Sequence, residues 1–125
     1  IRTELPLPYE KALEKTLAEM AKAGFGVIMR IDMHEKMKEK LGVTMPKYVI
    51  LGMCIPSHAY KAVQLEPDIG LLLPCNVVVY EQGDHTVVAA INPPVALGVV
   101  ENTELAPIAA DVDARLRQAM AAIEK

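Results

Sequence analysis

Two stretches of this chain are apolar at almost every position, with no alternation between hydrophobic and polar residues. Tyr48, Val49, Ile50, Leu51 and Met53 form one, and Val77, Val78, Val79 and Tyr80 the other. Both are rich in β-branched and aromatic residues and too short for buried helices, so they read as strands. A strand apolar on both of its alternating faces is normally covered on both sides. Any fold for this chain must therefore bury two sheet faces in the region of these strands.

The flanking residues supply the rest of the elements. Arg2–Leu5 reads as a short first strand closed by Pro6 and Pro8. Pro8 suits a first helical turn, and Tyr9, Leu13, Leu17 and Met20 then recur at spacings of four, four and three, with Gly24 at the position of a helix stop. Phe25–Ile31 alternates as a strand. Asp32 with Glu35 forms an Asx version of a capping box, opening a short helix to Leu41 before Gly42. The strong strand Lys47–Cys54 follows, then a helix from Pro56 to Leu65 stopped by Pro67. Cys75–Glu81 and Thr86–Ile91 make a hairpin around Gln82, Gly83 and Asp84, ended by Asn92, Pro93 and Pro94. Leu105, Ile108, Val112, Leu116, Ala119 and Ile123 predict a last helix from Glu104 to the C-terminus.

This order predicts one α+β domain over residues 1–125, with two layers: a mostly antiparallel or mixed sheet of about five strands, and helices on one face. With 125 residues the chain can bury a real core. Four short helices cover one face of such a sheet but hardly both. A second copy of the chain is the simplest cover for the other, so a homodimer is expected.

Charge and composition narrow the partners. A net charge of −3, no Trp and one Phe offer neither a field for phosphate backbones nor a platform for stacked bases, so no nucleic-acid partner is expected. No apolar run approaches the roughly 20 residues that span a bilayer, so no membrane partner is expected either. Two cysteines make at most one bridge, which favours a reducing, cytoplasmic setting; a leader cleaved before Ile1 is also compatible.

The residues that could carry chemistry are few. Cys54 ends a strand just before the helix opened by Pro56, where the helix dipole favours a thiolate. His58 lies four residues on and could reach the same region. Against this, free cysteine is among the most buried residue types, and Cys54 also reads as an inert core thiol. Cys75 opens the next strand. If the intervening helix is a crossover, the two cysteines lie near opposite ends of the sheet, roughly 20 Å apart for strands of about seven residues; antiparallel neighbours would instead bring them together. The crossover is favoured here, and with it no intrachain disulfide. Met33, His34 and Met37, with Met45 and Met53 nearby, are ligand types that copper(I) prefers, but Met33, Met37 and Leu41 at helical spacing read first as a core stripe. His34 and His85 read as exposed. Ser57 and His58 are adjacent and make a poor nucleophile–base pair, and Gly24 and Gly26 form no phosphate loop.

The segments Val49-Ile-Leu-Gly-Met-Cys-Ile-Pro56 and Asp68-Ile-Gly-Leu-Leu-Leu-Pro-Cys-Asn-Val-Val-Val-Tyr-Glu81 closely resemble the domain-of-unknown-function 302 family. Gly24-Phe-Gly-Val, Glu39-Lys-Leu-Gly42 and Asn92-Pro93 also fit. The resemblance covers nearly the whole chain, and Leu-Leu-Pro-Cys-Asn-Val is its most specific part. It implies a small two-layer α+β fold that forms dimers, in prokaryotic proteins of unassigned activity, and it supplies no mechanism. Cys54 falls in its Gly-x-Cys-x-Pro element and Cys75 in Leu-Pro-Cys-Asn. Ile55 stands where the family pattern commonly has Asn, which removes a helix cap worth roughly 1 kcal/mol and a polar group beside Cys54.

Two functions follow as expectations. One is a non-catalytic module binding a small ligand or a soft metal ion near Cys54 or Cys75, with His58 at hand. The other is a thiol-dependent redox or sulfur-handling enzyme using Cys54.

Overall fold

The two all-apolar stretches lie side by side at the middle of the sheet. The computed structural model describes residues 1–125 and forms strands β1 (Arg2–Leu5), β2 (Gly26–Asp32), β3 (Tyr48–Cys54), β4 (Cys75–Gln82) and β5 (His85–Ala90). Their order is β1-β5-β4-β3-β2, with every neighbouring pair antiparallel. Between them run α1 (Tyr9–Lys22), α2 (Met33–Leu41), α3 (Pro56–Leu65), α4 (Pro93–Leu97) and α5 (Ala106–Glu124). This is the expected α+β arrangement, with the sheet wholly antiparallel.

Side-chain alternation divides the two faces sharply. Val49, Leu51 and Met53 of β3 pair with Val79, Val77 and Cys75 of β4, and all six are buried with the inner stripes of α1 and α5 in one core. Leu51 and Val79 are fully buried. On the opposite face Tyr48, Ile50, Val78 and Tyr80 are only half-buried. Tyr48 and Tyr80, directly paired in register, stack with ring centroids 5.2 Å apart and cover part of that face. At the β2 edge, Val27, Ile28 and Met29 are exposed, Ile28 at 61%, where the register with β3 slips and the strand bulges.

The helix patterns hold with local exceptions. Every apolar residue expected on the last helix is buried, although Leu105 belongs to a 3₁₀ turn, Thr103–Leu105, that leads into α5. Gly24 follows α1 at φ 96°, and the N–H of Phe25 reaches back to Met20, closing the helix as the sequence indicated. Pro93 and Pro94 do more than end β5. Their fixed φ also suits a first helical turn, and they open α4, whose Val95 N–H is capped by the Asn92 side chain at 3.4 Å.

The expectation for α2 is corrected. No residue of α2 is buried, and Leu41 is 68% exposed, so Met33, Met37 and Leu41 are not a core stripe. The helix docks at the sheet edge by polar contact instead: His34 Nδ1 accepts the N–H of Tyr48 at 3.0 Å. His34 and His85 are half-buried rather than exposed, His85 lying 3.2 Å from Asp84. Asp32 occupies the N-cap of α2, but its carboxylate is taken by the Arg30 guanidinium at 3.2 and 3.3 Å and caps nothing.

Tyr9 ties α1 to this corner. It is buried, its ring meets His34 edge-on at 6.2 Å, the Lys47 amine lies 5.7 Å above the ring, and its hydroxyl finds no partner in the chain. Burial, reinforced by the negative charge of Asp32, pushes its pKa up to about 12. The folded state therefore holds Tyr9 neutral where the unfolded chain would ionise it. The stability this lends is complete below pH 10 and is lost as pH rises toward 12. Tyr9→Phe should flatten that alkaline loss in denaturant melts and delete the last phenolate to appear at 295 nm; a wild-type alkaline titration with all tyrosines ionising near 10 would contradict the assignment.

Candidate functional site: a thiol pocket at one end of the sheet

Because β3 and β4 are antiparallel neighbours, the end of one and the start of the other share an end of the sheet. The register pairs Met53 with Cys75, so Cys54 sits diagonally across from Cys75. The expected separation of the cysteines is thus overturned. The segment from Ile55 to Pro74 is no crossover: α3 leaves the sheet, a 3₁₀ turn at Pro67–Leu71 reverses the path, and the chain re-enters at the end it left. Both thiols are free.

Cys54, Cys75 and His58 line one small pocket, together with Met53, Phe25, Ile55 and apolar residues from α3, α4 and α5. Its volume is about 30 Å³, room for about one water molecule. His58 is its polar rim. Cys54 is half-buried and Cys75 buried. Burial pushes the Cys75 thiol pKa up, and the proximity of Cys54 adds to the rise. Cys75 is therefore a neutral thiol at neutral pH, not a standing nucleophile.

The helix after Cys54 starts without a side-chain cap, as Ile55 in place of Asn requires. The Ile55 carbonyl accepts the N–H groups of His58 and Ala59, which fixes the first turn of α3 and points His58 back toward the sheet end. His58 Nε2 donates to Asp111 Oδ2 of α5 at 2.5 Å. Arg115, one turn on, donates to the same oxygen at 3.1 Å and to the Ala23 carbonyl at 3.4 Å. The hydrogen bond from His58, then Arg115, holds the Asp111 carboxyl below its ordinary range. With Nε2 engaged, only Nδ1 of the imidazole remains for other work.

Asp111 and Arg115 were missed by sequence reasoning. As an i,i+4 acid–base pair on an amphipathic helix they look like a solvated surface pair, and nothing local ties them to His58, 53 residues away. Met53 was placed by its neighbours in sequence, not by this pocket. The histidine and the two cysteines that the sequence singles out converge on this one pocket.

A larger cleft of about 420 Å³ lies beside α4 and α5 and shares Leu97 with the thiol pocket. It offers little chemistry. Asn102 spends its carbonyl on the Glu104 N–H and its amide on Leu65 and Glu66, which leaves Glu101 as the one ionisable side chain.

Pro74, next to Cys75, packs against β3 on the face of the sheet away from the pocket. A Cβ at Gly52 would stand 2.5 Å from the Pro74 ring and 2.9 Å from Met29 Cβ, so the ring rests where only glycine leaves room. Gly52→Ala should therefore cost about 1–3 kcal/mol in denaturant melts and displace Pro74 and the adjoining Cys75; an unchanged melting midpoint would show that the ring is free to move.

A five-stranded antiparallel sheet with helices on one face and a two-cysteine pocket at one end defines a small α+β protein of a two-layer type. The chain belongs to the family described as domain of unknown function DUF302, whose sequence profile matches residues 1–123. Its fold is similar to the crystal structure of an uncharacterized conserved DUF302 protein from Bacillus stearothermophilus, with a TM-score of 0.88 and 27% identity over 98% of this chain and 96% of that one. No curated protein matches the chain. No helix is long and apolar enough to cross a membrane.

Proposed function

We propose that residues 1–125 form a single-domain, non-catalytic binding module, working as a homodimer, whose site is the pocket of Cys54, Cys75 and His58. One observation carries this reading: three chemistry-bearing side chains from three separate segments converge on a single apolar pocket with room for one small occupant. Catalysis is the weaker reading. The one imidazole at the pocket is bound to Asp111 through Nε2, and the Cys75 thiol is held neutral. No carboxylate lines the pocket to act as a second acid or base.

Non-denaturing mass spectrometry of natively purified protein tests it. The chain should carry an adduct that Cys54→Ala or Cys75→Ala removes. A bare chain whose two thiols alkylate as fast in buffer as in denaturant would overturn the reading.

The proximity of the two cysteines also favours a second reading, in which the pair cycles between dithiol and disulfide as the chain hands two electrons to an oxidant. A mass lower by two hydrogens, with both thiols lost to alkylation until reductant is added, would replace the first reading with this one.

The homodimer rests on the uncovered sheet face. Ile50 and Val78 are only half-covered there, and Ile28 and Met29 are exposed at its β2 edge. Sedimentation at micromolar concentration should give about twice the chain mass of 13.6 kDa, and Ile28→Lys should shift it toward one chain. A single-chain species in the wild type would remove the dimer.

A further inference from the structure

Resting on the reading of the pocket as a binding site, we infer that its occupant is a single soft monovalent ion, copper(I), held by the thiolates of Cys54 and Cys75 with the Met53 thioether as a third sulfur. The pocket lining contains these three sulfurs and one imidazole, and no carboxylate. Thiolate and thioether ligands select copper(I), whereas carboxylate and carbonyl oxygens suit magnesium, calcium and manganese. Met53 and Cys75 face each other across adjacent strands on the same side of the sheet, and Cys54 follows Met53 at the strand end. The pairing places two of the sulfurs, and Cys54, one residue past Met53 at the strand end, joins them in the lining of the same pocket.

Two further observations narrow the ion. No three His, Cys, Asp or Glu side chains gather closely enough to hold a metal, so the four nitrogen or sulfur ligands of a structural zinc site are not present. Copper(I) is satisfied by two or three sulfurs. The pocket, at about 30 Å³, admits an atom and excludes an organic ligand. Apart from His58, the rest of the lining, from Phe25 and Ile55 to Ile108 and Val112, is apolar and offers the ion no competing oxygen ligand.

Loading is a ligand exchange without electron transfer. Two S–H bonds break, two copper–thiolate bonds and one copper–thioether bond form, the acetonitrile ligands leave, two protons pass to the buffer, and copper remains at +1.

The test is an anaerobic titration of the reduced, full-length protein with copper(I) supplied as its acetonitrile complex, against a colorimetric copper(I) chelator. One equivalent per chain should be retained. Cys54→Ala and Cys75→Ala should each weaken retention by more than the roughly 10–100-fold that loss of an outer partner costs a metal site. Met53→Leu keeps the volume of the side chain and the fold, and should weaken it about tenfold. Met37→Leu should change nothing, and zinc(II) should not be retained. X-ray absorption of the loaded protein should show a shell dominated by sulfur.

Retention by Cys75→Ala equal to wild type, or zinc held as well as copper(I), overturns the assignment. A Met53→Leu protein that binds like wild type removes the three-sulfur site. If copper(I) is not retained while the native mass adduct persists and still depends on Cys54, the copper assignment alone falls and the pocket keeps its role in binding another occupant. If neither is seen, both fall.

Discussion

The antiparallel pairing of β3 with β4 is the interaction on which the rest of the structure depends. It places Val49, Leu51 and Met53 beside Val79, Val77 and Cys75, all buried against the helices. Removing side chains of this kind from water contributes on the order of 1.5–3 kcal/mol each. A slip of one residue would turn the three inward residues of the slipped strand toward the other face, so the register is strongly specified. The same register puts the two cysteines at one end of the sheet. The site is thus a by-product of core formation: what buries Leu51 also brings Cys54 to Cys75.

Much of this was legible in the sequence, and what was not has a common physical cause. Period-two and period-3.6 patterns report local geometry, and they located all five strands and the stripes of α1 and α5 to within a residue or two. Partner choice between strands is not local. The helix after Cys54 looked like a crossover because helix-linked strands often run parallel, and only the 3₁₀ reversal at Pro67–Leu71 makes these two antiparallel. The error in α2 is of the same type. Met33, Met37 and Leu41 have the spacing of a buried stripe, but spacing cannot say whether a core lies opposite, and at the sheet edge none does. In the Pro93–Pro94 pair, the ring that ends a strand also starts a helix, and the sequence alone favoured the first effect.

The site was legible in its members but not in its assembly. Cys54, Cys75 and His58 stood out because few other side chains in the chain can carry chemistry. Asp111 stayed hidden because an acid four residues before an arginine on a helix is the usual form of a surface ion pair. Its contact with His58 makes it more than that. Arg115 braces it, and Arg115 itself lies against the backbone of Ala23 and Gly24 at the turn from α1 into β2. The rim of the pocket is therefore held from α5 and α1, while its floor is held from β3 and β4.

The size and lining of the pocket then decide what kind of site this can be. A catalytic thiol needs space for a substrate and a base free to take its proton. Here the space is that of one small particle, and the nearest imidazole has one nitrogen engaged. The larger cleft has the volume of a ligand site but lacks a free convergent set of polar groups, and Leu97 stands between it and the sulfurs. Volume and chemistry are thus separated in this fold. Three sulfurs line a pocket of about 30 Å³ whose wall is otherwise mostly apolar, a setting that favours polarisable contacts over ligands that depend on hydration. Rigidity supports the same conclusion. Two cysteines on paired central strands, with Pro74 seated on Gly52 behind them, can move little relative to each other. Under the binding reading proposed above, that constraint suits a small occupant, whereas an enzyme closing over a substrate would be hindered by it.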